Sequence, residues 1–205
     1  MAQTAPELHK TLVDHLQSIG TLTQPPVEAA FRAVPRHLFL PGIPLEDAYR
    51  DDAIVTKMAE GRAISSSSQP AIMAIMLEQL AVQPGQHVLE IGAGTGYNAA
   101  LLGHLVGPAG QVVTVDSDDD IVEAARAHLA AAGIENVRVV QADGGEGYAP
   151  GAPYDRIILT ASAWDITPAW MAQLVDGGRL VLPFKVSNGA QNAIAFDKTT
   201  PGSYP

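Results

Sequence analysis

The sequence predicts an α/β protein: a doubly wound, mostly parallel sheet carrying an N-terminal cap of helices and loops. Three observations predict it. From residue 64 to 196, short apolar runs alternate with longer helical patterns, and glycines punctuate the changes. The run Val88-Leu89-Glu90-Ile91 passes directly into Gly92-Ala93-Gly94-Thr95-Gly96, a strand followed by a glycine loop. Residues 1–63 have a different texture, broken into short segments by Pro25, Pro26, Pro35, Pro41 and Pro44. The expected organisation is a cap over 1–63 and a ligand-binding core over 64–205.

Each element follows from local pattern. Leu8, Leu12, Leu16 and Ile19 recur at spacings of three and four, predicting a helix over 6–19. Pro26 suits the first turn of a second short helix, which buries Val27, Ala30, Phe31 and Val34 before Pro35 stops it. Residues 36–63 lack a long periodic element and read as loops folded over the rest. An apolar helix over 69–80 turns at Gln83-Pro84-Gly85 into a buried strand over 87–91. Then come a helix over 97–106, a strand over 111–116, a helix over 118–132 ended by Gly133 and a strand over 137–142. A strand over 154–160, a helix over 168–175, a strand over 178–184 and a last strand over 191–196 complete the pattern.

Composition removes several classes of function. With 205 residues, 47% apolar and 17% charged, the chain is neither disordered nor a coiled coil. It has no cysteine, which excludes disulfide scaffolds, thiolate zinc sites, iron–sulfur clusters and a cysteine nucleophile. Twelve basic against 22 acidic residues give a net charge of −10. Such a surface repels phosphate backbones, and without a basic patch nucleic acid is not an expected partner. The start MAQTAPELHKTLVDHLQ lacks the layout of a signal peptide and no run reaches membrane-spanning length, so the expectation is a cytoplasmic protein with no membrane partner. His9, His15, His37, His87, His104 and His128 are scattered without metal-ligand spacing. Asp118-Asp119-Asp120 reads as the charged first turn of a helix, so no metal is expected.

The glycine loop carries the chemistry. Alternate glycines after a buried strand let the backbone approach a ligand, at the crevice where open α/β sheets bind. A dinucleotide fingerprint needs glycine at 97, and Tyr97 stands there. Asp116 ends the next strand, where a carboxylate accepts both hydroxyls of a ribose; this indicates a nucleoside without choosing one. Asp143-Gly144 ends the third strand, where a carboxylate fits an adenine amino group or caps a turn. The four serines Ser65 to Ser68 read either as a flexible lead-in with a helix cap or as a carboxylate site at a helix start.

The spacing G-x-G-x-G behind Glu90 resembles the first motif of class I S-adenosylmethionine-dependent methyltransferases. An ordered set of further segments sharpens this: VPRHLFLP at 34–41, AYRD at 48–51, SQP at 68–70, APYDRIILTA at 152–161 and QLVDGGRLVLP at 173–183. Together they resemble the protein-L-isoaspartate O-methyltransferase family. The resemblance implies S-adenosyl-L-methionine as cofactor, with Glu90, Gly92, Ala93, Gly94 and Gly96 along its methionine part. It implies Asp116 and Ser117 at the ribose and Asp143 with Gly144 at the adenine. Ser68 matches the family's active-site serine. The serine run leaves the register open, so Ser67 or Ser65 can take that role instead.

The implied reaction is formation of a methyl ester on isoaspartyl or aspartyl residues of proteins or peptides, leading through a succinimide to repair. A carboxylate is already ionised at neutral pH, so no general base is needed. Arg36, Lys57 and Arg62 are the candidate cations that offset the acidic field, or else solvated surface charges. Segment 55–62 departs from the family's P-I-G-x-G-Q pattern, which keeps open an aspartate in a dedicated peptide as substrate. A non-catalytic cofactor-binding interaction module is the alternative of another class. The family pattern also implies a further strand after that over 191–196. The expectation is therefore a C-terminal strand missing from the sheet and a homo-oligomer formed through the exposed edge.

Overall fold

The computed structural model describes residues 3–161, 163, 165–185 and 191–199. Its centre is a six-stranded sheet built from the apolar runs: β3 (His87–Ile91), β4 (Gln111–Asp116), β5 (Val137–Gln141), β6 (Tyr154–Leu159), β7 (Leu174–Lys185) and β8 (Gln191–Asp197). The spatial order is β5-β4-β3-β6-β7-β8, parallel except for β8, which runs antiparallel to β7. After β3 the chain moves to one side to make β4 and β5, then returns to β3's other flank as β6. The carboxyl end of β3 is therefore the point where the winding reverses, and the crevice there stays open.

Helices cover both faces. α4 (Pro70–Leu80), α5 (Tyr97–Val106) and α6 (Asp119–Ala131) pack with the cap helices α1 (Ala5–Ser18) and α2 (Pro25–Ala33) into one apolar cluster. Leu89, Ile91, Val115, Tyr154, Ile157, Leu159 and Leu180 form a second cluster on the other face, closed by Trp170 of α7 (Pro168–Gln173). α1 begins in a capping box, Thr4 with Glu7, and both prolines of α2 stand in its first turn. Nine of the ten residues of α5 are buried, because α2 lies on the side that the sheet leaves free. Phe31 meets the ring of Tyr97 edge-on at 6.4 Å, and Phe39 meets it at 5.5 Å.

Several expectations need correction. Residues 36–63 are not plain loops: a 3-10 turn at Arg36–Phe39 and the short α3 (Leu45–Ala48) precede a hairpin of β1 (Ile54–Ala59) and β2 (Arg62–Ser67). Glu60 and Gly61 turn it with φ of 49° and 75°, the positive pair that a two-residue hairpin turn requires. Most hairpin side chains are exposed, so no buried face wrote an alternating pattern into the sequence. Ser65, Ser66 and Ser67 thus form strand rather than a flexible lead-in, and Gln69 caps α4. The change of texture between 63 and 64 falls inside β2. α7 stops at Gln173 and β7 starts at Leu174, with a register shift against β6. After Pro183 one further strand, β8, is described, pinned to β7 by Arg179 and Asp197 at 2.6 and 3.0 Å. The tail over 200–205 lies outside the described residues.

Phe31 is fully buried and joins the cap to the helix that leaves the glycine loop. Phe31→Ala is expected to cost about 3–5 kcal/mol, read as a lower denaturant midpoint in urea unfolding. A loss below about 1 kcal/mol would mean that the cap does not share the core's cooperative unit.

Candidate active site

The loop after β3 is shaped by close contact. A Cβ on Gly92, whose φ is 101°, would stand 2.8 Å from Thr160 Oγ1. Thr160, at the end of β6, donates from that same oxygen to the carbonyls of Gly92 (2.6 Å) and Ile91 (3.2 Å). A Cβ on Gly144 would stand 2.6 Å from Ile91 Cγ2, which holds the turn after β5 against the end of β3. Gly96 caps α5, and Tyr97 and Asn98 follow as its first residues.

Over this loop lies a cavity of about 400 Å³. Its floor is Gly92 to Thr95, its far wall Asp116, Thr160 and Ala161, and its roof the hairpin's Ala63 to Ser67 with Ser68. Asp116 stands half-buried at the end of β4. Its Oδ2 accepts from the Gly94 amide and its Oδ1 from the Asp118 amide, both at a long 3.3 Å. Long contacts leave both oxygens able to accept from the two hydroxyls of a ribose. Among the described lining residues none is Lys or Arg, and Asp116 is the only charged one. A smaller apolar pocket of about 150 Å³, walled by Ile72, Met73, Met76, Ile158 and Pro183, adjoins the cavity at Ser68, Asn98 and Thr160. Glycine floor, terminal carboxylate and volume fit S-adenosyl-L-methionine.

Glu90 lies beneath the loop, fully buried, and accepts from Asn98 Nδ2 at 2.7 Å and Thr114 Oγ1 at 2.6 Å. Burial pushes its pKa up to about 7, against the downward pull of those two bonds. It supports the wall and does not line it.

The expected residues therefore divide. Gly92, Ala93, Gly94, Asp116, Ser65, Ser67 and Ser68 come together on one cavity, while Gly96 and Glu90 shape it from below. Ser117 contributes its carbonyl to Gln141 Nε2. Asp143 caps the Gly145 amide at 2.8 Å, the turn-capping role, and like Gly144 stands outside the cavity lining. The three expected cations also need correction. Arg36 is fully buried behind the serines, Lys57 is held by Asp118 (3.2 Å) and Asp120 (2.5 Å), and exposed Arg62 sits at the hairpin turn. The Lys57 pairs tie the hairpin roof to the start of α6.

Sequence reasoning missed Thr160, Asn98 and His128. His128 Nδ1 donates to the Thr95 carbonyl at 2.9 Å, so one histidine does reach the glycine loop, from the far end of α6. A threonine ending the strand that flanks β3 was a usable signal. The histidine had none, since helix packing alone brings it there.

Comparison with known proteins agrees with the segments quoted above. The family model described as protein-L-isoaspartate(D-aspartate) O-methyltransferase matches residues 7–204. A protein-L-isoaspartate O-methyltransferase of Ignicoccus hospitalis is 38% identical over 196 residues, 96% of this chain and 90% of that one. One of Methanoculleus marisnigri is 46% identical over 157 residues, 77% of this chain and 68% of that one. A solved protein-L-isoaspartate O-methyltransferase superposes with a TM-score of 0.85 at 36% identity over 94% of this chain; the match spans 61% of that structure's longer chain. A Plasmodium falciparum protein solved with S-adenosyl-L-homocysteine shares the fold, at TM-score 0.79 and 19% identity, over 94% of this chain and 90% of that one.

Two outcomes follow from this geometry. Asp116→Ala is expected to weaken S-adenosyl-L-homocysteine about 10–100-fold in calorimetry, the size of one to two charge-assisted hydrogen bonds, with an unchanged melting temperature. The second concerns pH. Glu90 binds its proton more tightly when folded, so between pH 4.5 and about 7 the folded state holds more protons and stability falls as pH rises. Glu90→Gln is expected to flatten this slope, by on the order of 2–3 kcal/mol between pH 5 and 8 in urea unfolding.

Proposed function

The chain belongs to the protein-L-isoaspartate(D-aspartate) O-methyltransferase family, and we propose that it esterifies the free carboxylate of isoaspartyl residues in cytoplasmic proteins and peptides. The observation that carries this reading is one cavity with Asp116 at one end and the serine run, beside an apolar side pocket, at the other. When bound, S-adenosyl-L-methionine supplies an electrophilic methyl group on a sulfonium.

The chain's own residues do the rest by position. Asp116 accepts from the ribose. The Gly92 to Gly94 backbone, free of side chains, lets the methionine part lie close to the strand end. Ser68, which lines both the cavity and the side pocket, and Ser67, which lines the cavity, face the acceptor carboxylate. No residue needs to remove a proton, because the acceptor is ionised well below neutral pH. Holding acceptor oxygen, methyl carbon and sulfur in line contributes on the order of 7–11 kcal/mol to lowering the barrier. The hairpin roof keeps water from the methyl group. The ester then exposes its carbonyl to the neighbouring backbone nitrogen, which displaces methanol and closes a succinimide. Water opens the ring partly to ordinary aspartate, which repairs the backbone.

The hairpin that roofs the acceptor side departs most from the family pattern, and it favours one second reading: an ordinary aspartate in a dedicated peptide. The outer edge of β8 meets no further strand among the described residues, and pairing of a second copy there belongs to the proposal; a monomer in light scattering removes it. Both acceptor readings are tested with labelled S-adenosyl-L-methionine and matched isoaspartyl and aspartyl peptides. Base-labile label is expected on the isoaspartyl peptide at least about tenfold above the aspartyl one, a discrimination of one well-placed hydrogen bond. Reversed preference selects the second reading, and no label on either removes both.

A further inference from the structure

Glu90 is a carboxylate that the esterification leaves unused, fully buried beneath the glycine loop. Its two oxygens have different partners. Oε2 accepts from Thr114 Oγ1 of β4 at 2.6 Å, and Oε1 accepts from Asn98 Nδ2 of α5 at 2.7 Å. An ionised carboxylate only accepts, so it fixes which end of the Asn98 amide faces it. Asn98 Oδ1 is therefore turned away from Glu90, and it has no partner among the described residues.

Asn98 is 8% exposed, and it lines two cavities. Ser68, Met73, Asn98 and Thr160 are shared by the large cavity and the apolar side pocket, so they frame the passage between them. With the ribose at Asp116 and the acceptor at the serines and side pocket, the sulfonium between them falls at this passage. A sulfonium carries a full positive charge and offers no N–H or O–H. It is stabilised by negative charge or by the negative ends of dipoles. The hydroxyl hydrogen of Thr160 is committed to the carbonyls of Gly92 and Ile91. Asn98 Oδ1 is the negative end of an amide dipole, and the carboxylate of Glu90 stands directly behind it.

We infer that Asn98 Oδ1, backed by Glu90, recognises the positive charge of the sulfonium. Asn98 touches the cofactor; Glu90 is a positioning residue that holds the amide and lends its charge through it. The pair favours the charged methyl donor over its neutral product, S-adenosyl-L-homocysteine, and so helps the product leave. The inference rests on the proposed placement of the acceptor and adds the group that reads the cofactor's charge. Burial holds the Glu90 pKa up at about 7, so this backing charge switches within the neutral range. Its neighbours on α5, β4 and β6 are the neutral Asn98, Thr114 and Ile158. Asp116 is the charged group that acts on it, and it disfavours the ionised form. A cation arriving at the passage opposes that effect and draws the proton off Glu90.

The experiment is calorimetric binding of S-adenosyl-L-methionine and S-adenosyl-L-homocysteine to the full chain, without peptide, at two pH values one unit either side of neutral. The two ligands share every group except the methyl and its charge, so the ratio of their dissociation constants isolates the sulfonium. In wild type that ratio is expected to shift toward the methyl donor by about fivefold from the lower pH to the higher. Glu90→Gln keeps an oxygen for Asn98 and removes the charge. It is expected to weaken the methyl donor about tenfold at the higher pH, with the product within about twofold and the pH dependence gone. Asn98→Leu, of similar size and without the dipole, is expected to do the same. If Asn98→Leu does not fold, the wild-type pH profile and Glu90→Gln decide. The inference is overturned if the wild-type ratio is flat with pH, or if Glu90→Gln weakens both ligands equally, as a purely structural role requires. A chain that binds neither ligand overturns the reading of the site and this inference with it; binding of both with an indifferent Glu90→Gln overturns this inference alone.

Discussion

The reversal of winding at β3 is the constraint on which the other features depend. With β4 on one flank and β6 on the other, the carboxyl end of β3 cannot be covered by its own connections. The loop 92–96 must then turn within the space left by Thr160, and only a residue without a side chain fits at Gly92. The same turn sends the chain into α5, which is too apolar to face water. The cap exists to bury that helix, through Phe31 and Phe39 against Tyr97. One topological choice thus produces the open crevice, its glycine floor and the need for an N-terminal cover.

Charge is distributed to match. Arg32, Arg50, Lys57, Arg179 and Lys198 are all engaged by carboxylates at the surface, where solvent screens each pair. Lys57 is the one that matters to the site, because it fastens the exposed hairpin to α6 across the cavity roof. A screened latch holds a roof without locking it, as a cavity that must admit a cofactor and release its demethylated product requires. Arg36 is the exception: its charge is held inside by backbone carbonyls of residues 50, 52 and 68, with the Asp51 and Asp52 carboxylates acting on it through space.

How much of this the sequence made legible follows burial. Every strand of the sheet and all three long core helices were readable, because buried faces impose apolar periodicity; His87–Ile91 and Gln111–Asp116 came out with their observed bounds. The glycine loop and Asp116 were readable because close approach and strand-end position leave few residue choices. The hairpin was not: most of its side chains face water, and its turn uses Glu60-Gly61 rather than the Asn-Gly or Asp-Gly that marks such turns. Arg36 was expected as a cation facing the site or as a solvated surface charge, and its full burial was not legible, because an arginine is most often exposed and the sequence does not show which carbonyls surround it. Its environment comes from carbonyls of residues 50, 52 and 68, which only the folded chain brings together.

That convergence also bears on what the N-terminal residues are for. The change of texture at residue 63 looks like a boundary in the sequence, yet β2 crosses it and Arg36 ties the 3-10 turn, the approach to β1 and the start of α4 into one knot. The cofactor half of the cavity is built from the sheet and its glycine loop, whose shape the winding dictates. The opposite side of the cavity is lined by the hairpin and the serines, most of whose side chains face water rather than a buried core. Residues 54–68 can therefore change with little cost to the core while Gly92 and Thr160 stay fixed by close contact, provided that Arg36 keeps the hairpin's base in place.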